Sequence, residues 1–238
     1  MPKVEIGNCG WSYFSPGKFI DNWKEKYATR LSAYASLFSV VEVDSIFYKL
    51  PSEKLAQKWY SEARDVNKSF EFIPKAPKSI THRNFSTEDL PGFLNVAKAL
   101  NSSKLLFQTP PSFGYSESNY KLVSDFFKRL SRQSNMSIMW EPRGTWLNAI
   151  EELKALSQKG IVIVTDPLRK LLDLKQQFYY FRLHGFGSRM MYAYKFTESD
   201  LNALRQKLSK KLFNSKKVYV MFNNIYMYED ALRFAKMV

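Results

Sequence analysis

Arg182 and His184 stand two residues apart in the run FYYFRLHGFGS at 178–188. Side chains alternate in direction along a strand, so Tyr180, Arg182 and His184 share one face while Phe181 and Leu183 occupy the other. A guanidinium supplies a planar fork of donors suited to phosphate or carboxylate. An imidazole has an unperturbed pKa near neutrality and suits proton transfer. The same pairing of types recurs elsewhere. Glu141 precedes Arg143 by two positions, and Glu42 precedes Asp44 by two. Lys75 closes the run FEFIPK with His82 following it, Gln108 closes KLLFQ, and Asn223 and Asn224 follow VYVMF. Together these residues describe a cationic pocket with acid/base capacity. Lys75, Arg143 and Arg182 would hold an anion, with Glu42, Asp44, His82, Gln108 and Asn223 around it. Glu141 and His184 would act as the catalytic pair. Asp166, which precedes Pro167, reads as a turn former.

Such a gathering requires elements that end at one place. Strand-like runs lie at 4–9, 40–45, 70–75, 104–109, 137–142, 161–166, 178–184 and 218–224. Amphipathic stretches separate them, at 52–64, 85–100, 116–130 and 196–213. Ser52, Ser116 and Thr197 stand at the helix entries as caps, with Asp200 three residues after Thr197. Pro91-Gly92 would weaken the middle of the second stretch. Leu201, Leu204, Leu208 and Leu212 form one stripe of the last. Strand–helix alternation eight times over, in a chain near the ~250 residues typical of the fold, predicts a single (β/α)8 TIM barrel, α/β in class. A doubly wound open sheet is the alternative. One domain over 1–238 is the simplest organisation. The polar residues named above all sit at C-terminal strand ends, where such barrels build their sites.

Composition bounds the partners. The chain has 238 residues, 45% of them hydrophobic, and a formal net charge of +14. A core of ordinary size and anionic company follow from those values: phosphorylated or carboxylated small molecules first, nucleic acid second. A single cysteine, Cys9, excludes an internal disulfide and fits a reducing cytoplasm. Cys9 reads as packing rather than as a nucleophile. No signal peptide and no apolar run of membrane-spanning length is present, so no membrane partner is expected. Nothing in the sequence fixes an oligomeric state.

In order along the chain, several motifs match one family. These are Gly10-Trp11-Ser12-Tyr13, Glu42 through Tyr48, Lys75-Ala76-Pro77 with Thr81-His82, and Gln108 with Pro110 and Phe113. Glu141, Arg143 and Trp146 follow, then Arg182, His184 and Gly185, and lastly Phe222-Asn223-Asn224. The chain resembles the YecE-like family, also called domain of unknown function 72. That resemblance implies a (β/α)8 barrel and adds Trp11 to the candidate binding residues; it supplies no reaction. Two features depart from the pattern. The loop FGSRMMYAYK is short, and Asp230 stands where the family commonly has Asn.

No phosphate-binding P-loop, dinucleotide fingerprint, H-E-x-x-H or C-x-x-C occurs, so no cofactor is expected. Two histidines are too few for a histidine-rich metal centre. Interleaved cations argue against a carboxylate-held Mg²⁺ or Mn²⁺, so no metal is expected. The bases at Arg205, Lys207, Lys210, Lys211, Lys216 and Lys217 read as a solvated face. Arg189 to Tyr192, and Trp11 to Trp23 with Lys18, mix aromatic and basic residues as a base-stacking surface does. Three functions therefore compete: acid/base chemistry on a small anion, grip on a phosphodiester backbone, and binding without catalysis around a structural charged lumen.

Overall fold

The computed structural model describes residues 2–83, 85–187 and 191–238. Among these residues eight strands run in chain order: β1 (Lys3–Asn8), β2 (Val40–Val43), β3 (Glu71–Pro74), β4 (Lys104–Gln108), β5 (Ser137–Glu141), β6 (Val162–Ile163), β7 (Tyr179–Leu183) and β8 (Lys217–Phe222). All pairings are parallel. One set runs β3-β2-β1-β8-β7 and the other β4-β5-β6. Two single bridges join them into a ring, Lys75 with Leu106 and Thr165 with Phe181. Backbone bonds seal both seams: Ala76 N donates to Leu106 O at 2.7 Å and Arg182 N to Thr165 O at 3.1 Å. The barrel is closed, and the open-sheet alternative falls.

Alternation sorts the strands' residues into two cores. Val41, Phe72, Phe107, Trp140, Ile163, Phe181, Val220 and Phe222 face the helices. Val40, Ile73, Leu106, Met139, Val162, Val164, Tyr180, Tyr219 and Met221 fill the lumen. Gly7 lies where a side chain would meet Val40 O at 2.3 Å, so the lumen has no room for a β-carbon there. At the N-terminal end Glu71 closes the barrel, accepting from Lys104 Nζ at 2.7 Å and Tyr219 Oη at 2.9 Å, with Lys217 beside it.

The capped helices form as their sequences predict. Ser52 accepts from Leu55 N, Ser116 from Asn119 N, and Thr197 makes a capping box with Asp200. Leu201, Leu204 and Leu208 are buried, as the stripe requires. Pro91 differs from expectation. It sits in the first turn of the helix Leu90–Ala99 and starts it, because a residue without an N–H costs nothing there. The stretch at 196–213 splits into the helix Glu198–Leu208 and a separate 3-10 turn, Lys211–Phe213. Helices Arg30–Leu37, Ile150–Gln158 and Met227–Ala235 complete the outer layer. Between β6 and β7, among the described residues, no helix forms. Among the described residues, no helix is long and apolar enough to cross a membrane.

Gly7→Ala should lower stability by about 1–3 kcal/mol, since β1 and β2 must part to admit the methyl. Urea denaturation checks this, with a lower midpoint and an unchanged slope expected.

Candidate functional site

β7 carries Arg182 into the lumen with no exposed surface. Its Nε and Nη2 donate to the two oxygens of Glu42 on β2 at 3.0 and 2.7 Å. Nη1 donates to Glu141 Oε2 on β5 at 2.5 Å and to Gln108 Oε1 on β4 at 2.9 Å. Tyr180 Oη donates to Glu42 at 2.9 Å. Asp44 Oδ2 lies 3.5 Å from Nη2, and the Cys9 thiol on the β1 side lies 3.6 Å away. One guanidinium thus ties four other parts of the ring across the barrel.

Toward the mouth the network opens. Arg143 Nη2 donates to Glu141 Oε1 at 3.2 Å and contacts His184 Nε2 at 3.1 Å. Arginine has no acceptor, so Nε2 accepts and the ring hydrogen sits on Nδ1. Gly185 follows at φ +88, turning the chain off the strand end where a β-carbon would meet Tyr194. Lys75 pairs with Asp44 at 3.4 Å and lies over the Phe47 ring at 4.6 Å.

Ionisation follows from these contacts. Burial works to raise the Glu141 carboxyl, but Arg182 and Arg143 overcome it and hold it well below the usual carboxylate range. Burial pushes the His184 imidazole down to about 3; Glu141 opposes this, and Arg182 and Arg143 reinforce it. His184 is therefore neutral at pH 7, contrary to the expectation of a group titrating near neutrality. Glu141 is ionised, bonded by Arg182 and Arg143. Burial, with Asp44 adding to it, raises the Glu42 carboxyl against the pull of Arg182; at Asp44 burial is outweighed only by Lys75, the Glu42 contact and Arg182 together, which draw that carboxyl down. Burial raises the Cys9 thiol, with Glu42 adding to it, which suits packing rather than nucleophilic attack.

Cys9, Glu42 and Asp44 present ligand atoms close enough to surround a cation. Arg182 already engages both Glu42 oxygens, and the thiol is protonated. That donor set does not fit a divalent metal unless the guanidinium leaves.

Beside this network, between the ends of β5, β6 and β7, lies a cleft of about 210 Å³. Glu141, Arg143, Asp166, Arg169, Lys170 and His184 contribute to its wall. Asp166 makes the turn its sequence suggests, accepting from Leu168 N at 2.9 Å, and also accepts from His184 N at 3.4 Å. Burial pushes its carboxyl up to about 6, opposed by those amides and Arg169. Two-residue alternation from Val162 and Val164 places Asp166 on the lumen face, a signal that the reading of a turn overrode. Arg169 and Lys170, in a loop without periodicity, gave no such signal.

The structure thus brings together Glu42, Asp44, Lys75, Gln108, Glu141, Arg143, Arg182 and His184. His82 sits exposed on the rim, its ring 5.1 Å from Phe47. Trp11 is not part of the cluster; it packs against Trp59 and Phe72 in the outer layer. Asn223 is half-buried, and no side-chain hydrogen bond ties it to the cluster among the described residues. Asn224 and Asp230 bond to each other at 2.8 Å and brace the last loop. Of the aromatic-basic loop, Ser188, Arg189 and Met190 lie outside the described residues.

A closed parallel barrel with a charged lumen and a cleft at its C-terminal mouth defines a TIM-barrel protein. The family described as "Protein of unknown function DUF72" matches residues 5–238, and the chain belongs to that family. UPF0759 protein YunF of Bacillus subtilis is 23% identical over 270 residues, covering 93% of this chain and 88% of YunF. A stretch of 112 residues is 32% identical to Ribosomal RNA large subunit methyltransferase H of Mesoplasma florum, covering 44% of this chain and 69% of that protein. A DUF72 family protein from Enterococcus faecalis superposes with a TM-score of 0.77 at 19% identity, over 100% of this chain and 98% of that one. One from Thermotoga maritima gives 0.69 at 22% identity, over 99% and 98%. A D-psicose 3-epimerase shares the fold, with a TM-score of 0.53 at 12% identity, over 100% and 98%.

Two predictions follow from the geometry. Arg182→Ala should cost about 3–5 kcal/mol because it strands buried carboxylates, whereas Arg143→Ala should cost about 1–2 kcal/mol; chemical denaturation of both variants measures the contrast. The His184 ring should show a neutral Nδ1–H tautomer in nitrogen NMR, with shifts constant from pH 8 to 5. Its lowered folded pKa makes stability full above the unfolded value of about 6.5 and lost progressively as pH falls from there toward 3.

Proposed function

We propose that the protein binds a small phosphate- or carboxylate-bearing metabolite in the cleft at the barrel mouth and performs acid/base chemistry on it. The observation that carries this reading is the cleft wall. Arg143, Arg169 and Lys170 border one concavity with Asp166 and His184. In that wall Arg143, Arg169 and Lys170 outnumber Glu141 and Asp166, so the concavity favours an anion. Arg143 is the anchor. Glu141 and His184 share its Nη2 and the Tyr192 hydroxyl also approaches the guanidinium, so the remaining donors of its five are left for a ligand. A space of about 210 Å³ equals roughly seven liquid-water volumes, the size of a metabolite of a few carbons. Titration calorimetry with inorganic phosphate tests the anchor. Arg143→Met should weaken binding by about tenfold or more, and an unchanged affinity would place the anion elsewhere.

A second reading, contact with nucleic acid, is favoured by the net charge of +14 and by the partial similarity to an rRNA methyltransferase. Exposed aromatics support it too. Tyr13, Tyr48, Tyr192 and Tyr226 follow β1, β2, β7 and β8, which are adjacent in the ring. Bases stack on such side chains. Labelled single- and double-stranded oligonucleotides discriminate: this reading predicts affinity falling steeply with salt as counterions are released. Absence of binding at low salt rejects it. If neither probe binds and variants at 141 and 182 lose only stability, the charged lumen is structural.

A further inference from the structure

We infer that an oxyanion enters the cleft together with one proton, carried on Asp166, whose O–H donates a hydrogen bond to the bound anion. The inference rests on the anion-binding reading and names the group that completes it. Asp166 lines the same cleft as Arg143, with its side chain only 8% exposed. Its two oxygens are unequally held. Oδ1 takes the short bond from Leu168 N at 2.9 Å; Oδ2 has the long contact from His184 N at 3.4 Å and an Arg169 Nε at 3.8 Å. Arg169 spends its fork on the Gly185 carbonyl, at 3.2 and 2.5 Å, rather than on this carboxyl. Oδ2 is thus the more weakly held oxygen and the one to carry a proton.

The other groups around the cleft do not compete for that role. From β5 come Glu141, held ionised by Arg182 and Arg143, and Arg143 itself. From the loop after β6 come Arg169 and Lys170, and from β7 come Arg182 and the neutral His184. Of these, Asp166 alone lies close to its change of charge in the mildly acidic range, because burial opposes its ionisation. An ionised Asp166 faces the anion with like charge; a protonated one offers a donor. The step involves proton uptake alone: one O–H bond forms on Asp166 from solvent as the anion binds. In a subsequent turnover that hydrogen is the one nearest the ligand for transfer, with the carboxylate left to take it back.

Sulfate is the probe, since it does not itself titrate between about pH 5 and 8. Calorimetry on the wild type should show affinity falling about tenfold for each pH unit above 6. Asp166→Asn keeps an oxygen for the Leu168 amide, so its turn persists, and its sulfate affinity should be independent of pH. Arg143→Met should lose binding at every pH. A flat wild-type profile, or an Asp166→Asn profile as steep as the wild type's, overturns the role of Asp166 while leaving the anion site standing. Sulfate binding undiminished in Arg143→Met, or no binding to the wild type at any pH, overturns the anion site and this inference with it.

Discussion

A guanidinium with no exposed surface, held by two carboxylates from opposite parts of a closed barrel, governs the site. Removing Arg182 from water is expensive, and only partners with good geometry offset the cost. Glu42 meets it bidentately, while Glu141 and Gln108 share the remaining nitrogen. Those partners lie on β2, β4 and β5, so the interaction exists only if the ring closes. Conversely, the charges fix which side chains fill the upper lumen. Apolar side chains, Met139, Val164 and Met221 among them, fill the rest of the lumen.

This constraint decides the ionisation of everything nearby. The arginines that keep Glu141 ionised reinforce the burial that keeps His184 neutral, and the histidine meets Arg143 as a hydrogen-bond acceptor. Asp166 lies at the edge of the cluster, where burial raises its carboxyl against the amides that donate to it and Arg169. Arg143 belongs to both regions, bound to Glu141 on one side and bordering the cleft on the other.

Much of the barrel was legible because its signals are local. Period-two alternation placed Tyr180 and Arg182 inside and Phe181 and Leu183 outside, and the hydroxyl caps marked three helix starts. The helix Arg30–Leu37 was harder to see, being short and capped by Thr29 and Ser32 without an acidic residue in its first turn. The cluster itself was legible once strand ends were assumed to converge, since Glu42, Gln108, Glu141 and Arg182 all end up in contact. Its ionisation was not, because a pKa depends on burial and on partners distant in the chain. Trp11 shows the limit of motif reasoning: an aromatic near a strand end packs outward against Trp59 as readily as it lines a mouth. Arg169 and Lys170 reach the cleft through a loop whose path no periodicity encodes.

A double-mutant cycle between Arg182 and Glu141 tests the central claim most directly. Stabilities of the wild type, Arg182→Met, Glu141→Gln and the double variant, measured by urea denaturation, yield the coupling between the two side chains. The cross-lumen contact predicts about 2–3 kcal/mol, with the double variant less destabilised than the sum of the single ones. Additivity within about 0.5 kcal/mol would mean that the two side chains do not meet, and the barrel mouth would lack the pivot on which its site is built.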